Sequence, residues 1–168
     1  MAGACEHVDE VRADWPAIAE PACEECTDGS WVSLRRCLTC GHVGCCDSSP
    51  GLHATAHHKA TGHPMVQTLQ PGQDWAWCYV DELTLRRVGG DWVQVDLFFE
   101  AGVAYMRDHV QAGGDPNPGE GFVHGKGFPL GDWVAEMRRR AAADELSDDQ
   151  REQIEALGVS LGGAGRSR

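Results

Sequence analysis

Along residues 31–35, Trp-Val-Ser-Leu-Arg, apolar and polar side chains come close to alternation, the period of a half-buried strand. Residues 65–69 and 75–80 read the same way, and Pro71-Gly72 between them supplies a turn. Ahead of these two strands the pattern predicts a helix. Ser49 is placed to cap it, Pro50 suits its first turn, and Gly62 suits a left-handed C-terminal cap. Gly89-Gly90 marks a domain boundary. From Asp91 onward Trp92, Val95, Phe99, Val103, Met106 and Val110 recur at three and four, predicting one long helix that Gly113-Gly114 ends. A loop rich in glycine and proline leads to a second helix from Leu130 to about residue 144, with Leu130, Trp133, Val134 and Met137 inward. Ser147 and Gln150 form the capping box of a third, which holds Ile154 and Leu157 inside and stops at Gly158. The predicted fold class is a small α+β domain over residues 1–88, a short antiparallel sheet with a histidine-bearing helix. An all-α three-helix bundle over 89–161 follows, built around Trp92, Phe99, Trp133 and Leu157. Residues 162–168 read as a disordered tail.

Composition changes this picture in one respect. A chain of 168 residues divided in two leaves each half a thin core, so a staple is expected. Eight cysteines could provide disulfides, but residues 1–10 are polar and acidic and lack the apolar segment of a secretory leader. That points to reduced thiols in a cytoplasmic protein. No run approaches the roughly 18 apolar residues of a membrane span. The net charge of −12 divides evenly, with twelve Asp and Glu against six Lys and Arg in residues 1–90, and fourteen against eight in residues 91–168. Such a surface disfavours binding through nucleic-acid phosphates.

The staple is legible between residues 23 and 63. Cys23/Cys26 and Cys37/Cys40 are Cys-x-x-Cys pairs, Cys45 is a fifth thiol, and His53, His57 and His63 follow. Thiolates two residues apart leave one tight turn together, and imidazoles complete tetrahedral zinc sites. Eight donors make two sites. His53 and His57 share a helical face, while His58 points elsewhere and reads as exposed. Cys5 and His7, with Cys78 and Asp81, bring the donors to twelve, so three Zn2+ ions are expected and two at minimum. Catalysis is not expected. Ala54 follows His53 where a metalloprotease helix needs glutamate, and His7-Val8-Asp9 with Pro21-Ala22-Cys23 misses the deaminase pattern. Four protein ligands per site would leave no open position for water. Cys46 remains as a free thiol and the one redox candidate.

The order Cys-x-His, two Cys-x-x-Cys pairs, Cys45, three histidines ending in Gly62-His63-Pro64, then Trp77-Cys78-Tyr79 resembles the UBP-type zinc finger. That family is the ubiquitin-binding module of ubiquitin-specific proteases and of a cytoplasmic histone deacetylase. The resemblance implies interleaved sites: Cys23, Cys26, Cys45 and His53; Cys37, Cys40, His57 and His63; Cys5, His7, Cys78 and Asp81. The family usually has cysteine at the last position, and a carboxylate oxygen is a harder donor, so the third site is the one expected to be weakest. The resemblance also implies capture of a free C-terminal Gly-Gly tail in an aromatic pocket, with Trp77 and Tyr79 matching its aromatics. The alternative is that these two rings simply cover the metal cluster. Asp47 stands where the family anchors the tail with arginine, and Arg35 replaces a pocket tryptophan. A carboxylate repels an anionic tail, which argues against ubiquitin itself and leaves Arg35 to supply the charge. The partner implied is an unidentified protein or peptide.

Residues 129–134, Pro-Leu-Gly-Asp-Trp-Val, followed by Arg138, Arg139, Arg140, Leu146-Ser147 and Leu157-Gly158, are similar to the helicase-associated domain. That family is linked to nucleic-acid contact, which makes the three arginines nucleic-acid candidates. Their alternative is a solvated face paired with Asp144 and Glu145. The function expected is a zinc-binding recognition or adaptor protein. The alternative is a nucleic-acid-associated accessory protein acting through the helical domain.

Overall fold

The computed structural model describes residues 5–12 and 14–162. The chain forms two compact units, Met1–Val95 and Asp96–Arg168. In the first, a 3-10 turn at Glu6–Glu10 precedes β1 (Leu34–Cys37), β2 (Val43–Cys45), α1 (His53–Thr61), β3 (Met65–Thr68), β4 (Trp75–Cys78), β5 (Leu83–Val88) and β6 (Asp91–Gln94). The six strands make one antiparallel sheet in the order β2-β1-β3-β4-β5-β6. Arg35 pairs with Thr68, Val66 pairs with Trp77, and Trp75 pairs with Arg86, so these side chains share one face. At the β2 end, α1 covers the sheet so closely that a Cβ on Gly44 would lie 2.5 Å from the Ala54 nitrogen.

Two small clusters form the interior of this unit. One joins Cys5, Leu38, Met65, Ala76, Cys78 and Leu85; the other joins Cys23, Leu34, Val43 and Cys45. Thiols make up a large share of both, which is why apolar burial alone is thin here.

Four local expectations change. The strand at residues 31–35 begins only at Leu34, because Val32 is exposed and its N–H donates to the Ser49 hydroxyl at 2.9 Å. That bond also removes Ser49 from the helix start. Helix α1 begins at His53 behind Leu52, which has φ 49° and offers no side-chain cap, and it ends as expected at left-handed Gly62. Third, residues 91–94 are strand β6, not helix. Gly89 and Gly90 have φ 59° and 103° and join Val88 to its partner Asp91. A two-residue loop with both φ values positive is the turn whose twist matches a hairpin, so this pair continues the sheet. In consequence Trp92 packs, like Leu83, against the first unit's core and not within the helical bundle.

The second unit holds α2 (Leu97–Gln111), α3 (Leu130–Ala142) and α4 (Asp148–Ala156). Asp96 caps α2 by accepting from the Phe99 N–H at 2.9 Å, and Ser147 with Gln150 forms the expected capping box of α4. Phe99, Val103, Met106, Leu130, Trp133, Val134, Met137 and Ile154 make a continuous apolar interior that contains no cysteine or histidine. Leu157 lies against it as expected, half-buried. The tail expected from residue 162 lies, beyond Gly162, outside the described residues.

Candidate metal centre

Each of the three predicted quartets converges. In Cys23, Cys26, Cys45 and His53, in Cys37, Cys40, His57 and His63, and in Cys5, His7, Cys78 and Asp81, the donor atoms of a group lie within 4.8 Å of one another and could hold a metal ion. Around His53 Nδ1, the sulfurs of Cys23, Cys26 and Cys45 lie at 3.2, 3.3 and 3.4 Å. In the second group Cys37 Sγ is 3.4 Å from His63 Nδ1, while His57 Nε2 is 3.3 Å from Cys40 Sγ and 3.2 Å from His63 Nδ1. Ligands at 2.0–2.3 Å from a tetrahedral zinc stand about 3.3–3.8 Å apart, so these spacings fit.

The local fold explains the convergence. Each Cys-x-x-Cys pair leaves one turn, β2 delivers Cys45, and α1 delivers His53 and His57 one helical turn apart. Gly51 makes room for the His53 ring, since a Cβ there would lie 2.4 Å from its Cε1.

The third group ties the chain's beginning to the turn after β4. Asp81 Oδ2 is 2.9 Å from His7 Nδ1, and Cys78 Sγ is 3.7 Å from both. Burial, with added pressure from Asp81 and Cys78, pushes the Cys5 thiol up to about 12. Hydrogen bonds from Cys5 and His7 hold the Asp81 carboxyl below its ordinary value.

Three residues that sequence reasoning assigned no role sit beside these groups. His42 Nε2 meets Glu25 Oε1 at 2.5 Å, and its ring stacks on His57 at 4.1 Å and 7°. His58, expected to be exposed, is half-buried: its Nδ1 donates to the His63 carbonyl at 2.8 Å and its ring stacks on Tyr79 at 4.5 Å. The only signal for His42 was its place two residues after the second Cys-x-x-Cys.

Of the candidate ligand residues, Arg35 carries its guanidinium 4.6 Å above the Trp75 ring and donates to Ser33 Oγ at 2.8 Å and the Leu34 carbonyl at 2.9 Å. Trp77 lies on the same face, half-buried. Thr55 donates to Asp47 at 2.5 Å and lies 3.2 Å from the Tyr79 hydroxyl, linking all three. Burial above all, then the negative charge of Asp47, raises the Tyr79 hydroxyl above its ordinary value. The remaining thiol, Cys46, is buried with its sulfur 3.4 Å from Ser49 Oγ.

The arginine candidates of α3 are engaged with their own unit. Arg138 donates to the Ser160 carbonyl and Asn117 Oδ1, both at 2.8 Å. Arg139 binds Glu136 and Glu145, and Arg140 binds Glu136 and, at 2.6 Å, Asp96. Asp144 pairs instead with Arg151. No described helix is long and apolar enough to cross a membrane.

A metal-organised antiparallel sheet carrying a histidine-bearing helix, followed by a helical unit, defines a zinc-finger protein with an appended helical domain. Residues 23–88 match the family described as Zn-finger in ubiquitin-hydrolases and other protein, and residues 96–161 match the Helicase associated domain. The chain therefore carries a UBP-type zinc finger and a helicase-associated domain, in that order. It is 36% identical over 77 residues to Histone deacetylase 6 of Caenorhabditis elegans, a match covering 45% of this chain and 8% of that protein. A solution NMR structure of protein RPA1320 from Rhodopseudomonas palustris is 49% identical, with a TM-score of 0.44, over 51% of this chain and 84% of that one.

Proposed function

We propose that the first unit is a recognition module in which three zinc ions, each held by one quartet, brace a sheet that binds a partner's peptide tail. Arg35, Trp77 and Tyr79 form the reading surface. The observation that carries this reading is the Arg35 guanidinium held over Trp75, on the same sheet face as Trp77. A cation fixed by neighbouring acceptors and stacked on an indole suits a chain-terminal carboxylate with little apolar bulk. The engagement of Asp47 with Thr55 supports the reading, because that carboxylate is already partnered. Its charge still disfavours ubiquitin as the ligand. Bound zinc would supply structure: with four protein donors apiece the quartets leave no position for a reacting water, and the reading assigns no catalysis. It places the protein in the reducing cytoplasm, where such thiols persist.

Titration calorimetry with a peptide ending in free Gly-Gly tests this. Binding by the wild type, lost in Trp77→Ala and on amidation of the peptide, is expected. Equal affinity for the acid and the amide would remove Arg35's role. The nucleic-acid alternative is less supported, because Arg138, Arg139 and Arg140 each already have partners. Phosphate binding through them would weaken steeply with salt.

A further inference from the structure

The His57 ring turns Nε2, the nitrogen farther from its backbone, toward Cys40 and His63, so its orientation must be imposed from outside. Metal-binding histidines usually obtain this from an acceptor on the other ring nitrogen. Among the described residues His57 Nδ1 has none, and α1 is a nine-residue helix without a side-chain cap, too short to hold a ring rigidly by itself. What His57 has is a neighbouring face. His42 lies flush on it at 4.1 Å and 7°, and His42 is itself held by Glu25. With 14% of its side chain exposed, His42 is mostly withdrawn from water, which strengthens its bond to the carboxylate.

Glu25 belongs to the other quartet's turn. It lies between Cys23 and Cys26, and its second oxygen is 3.5 Å from Cys23 Sγ. Its neighbour Glu24 fastens the same turn to Val43, beside His42, through two bonds: Glu24 N–H to the Val43 carbonyl at 2.9 Å and Val43 N–H to Glu24 Oε1 at 2.8 Å. The two residues between the first pair of cysteines therefore strap that turn to the segment touching His57.

We infer that Glu25 and His42 are positioning residues for the second quartet, so that folding of the first Cys-x-x-Cys turn prepares the Cys37, Cys40, His57 and His63 site for its metal. A carboxylate-bound imidazole also presents an electron-rich face to a ring made electron-poor by metal binding. The inference rests on reading the quartets as metal sites.

Cobalt(II) titration of the full chain in reducing buffer tests it. The third quartet also holds two thiolates, Cys5 and Cys78, so every titration is repeated in an Asp81→Ala background that disables it; three thiolates with one imidazole and two with two then give distinct charge-transfer and ligand-field bands, and the first and second sites are read separately. His42→Ala is expected to weaken the two-thiolate site by about 10- to 100-fold and leave the three-thiolate site unchanged. Glu25→Ala, although it lies between two ligands of the first site, is expected to weaken the second more. Glu25→Gln, which keeps an acceptor for His42, and His42→Phe, which keeps a ring on His57, should each restore part of the loss. Equal weakening of both sites, or no change in either alanine variant, overturns the inference. Absence of cobalt bands in the wild type overturns the metal reading beneath it.

Discussion

Gly102 of α2 lies against the indole of Trp133 of α3 so closely that a Cβ would fall 1.9 Å from the Trp133 Nε1 atom. Trp133 is fully buried and its N–H has no hydrogen-bond partner among the described residues, so packing holds the ring. Gly102→Ala forces the two helices apart or the ring from its place. Overpacking of this kind costs about 1–3 kcal/mol, even after the helix-propensity gain of alanine is counted. A lowered midpoint for the helical transition in a chemical melt is the expected result, and an unchanged one would show that the helices separate freely.

Removal of metal should divide the chain. The second unit's interior contains no cysteine or histidine, whereas both clusters of the first include candidate zinc donors. A structural zinc carries roughly 10–16 kcal/mol of apparent binding free energy, more than a domain this small holds in reserve. Strong chelator should therefore abolish the sheet signal in circular dichroism and leave the signal of α2, α3 and α4. A spectrum that chelator does not alter would refute the assignment of zinc to the fold.

The mixed donor set at Asp81 should be the first to release its ion. Chelator competition, followed by a colorimetric zinc indicator, is expected to show one fast and two slow equivalents from the three groups. Asp81→Cys should slow the fast equivalent, because thiolate is the softer and tighter donor. Asp81→Ala should reduce bound zinc from three equivalents to two.

Glu136 makes the second unit sensitive to acid. Its hydrogen bonds with Arg139 and Arg140 hold its carboxyl down from 4.5 to about 2. A carboxyl lowered on folding binds more protons unfolded than folded in that interval, so stability rises with pH there. The contribution is complete above pH 4.5 and is lost as pH falls toward about 2. Glu136 keeps 30% of its side chain exposed, and screening by the surrounding solvent keeps the effect modest. Glu136→Gln should lower the helical midpoint at pH 6 and cease to differ from wild type at the acid end. A difference that persists unchanged at low pH would exclude the ion pairs as its source.

The parts of the fold that could be read in advance were those written as short-range chemistry. Ser147 with Gln150 announces α4, Gly62 announces the end of α1, and the cysteine spacings announce the turns that carry them. The misreadings came where a long-range partner decided the outcome. Trp92 and Val95 continue the helical period of Phe99 and Val103 by coincidence, and only pairing of β6 with β5 makes residues 91–94 a strand. Ser49 has the composition of a cap, yet Val32, 17 residues earlier, takes its hydroxyl. Glu25 and His42 were invisible for the same reason, since 17 residues separate them and neither is a metal donor.

The third quartet spans the greatest separation, for His7 and Asp81 are 74 residues apart. Joining two points that far along a chain removes about 4 kcal/mol of freedom from the unfolded state by the cross-link relation. The quartet with the hardest donor thus spans the longest loop and, holding a metal, would act as a clasp over the whole module. With a metal bound there the clasp would be shut, and the N-terminal turn at Glu6–Glu10 is the piece that its loss would let go.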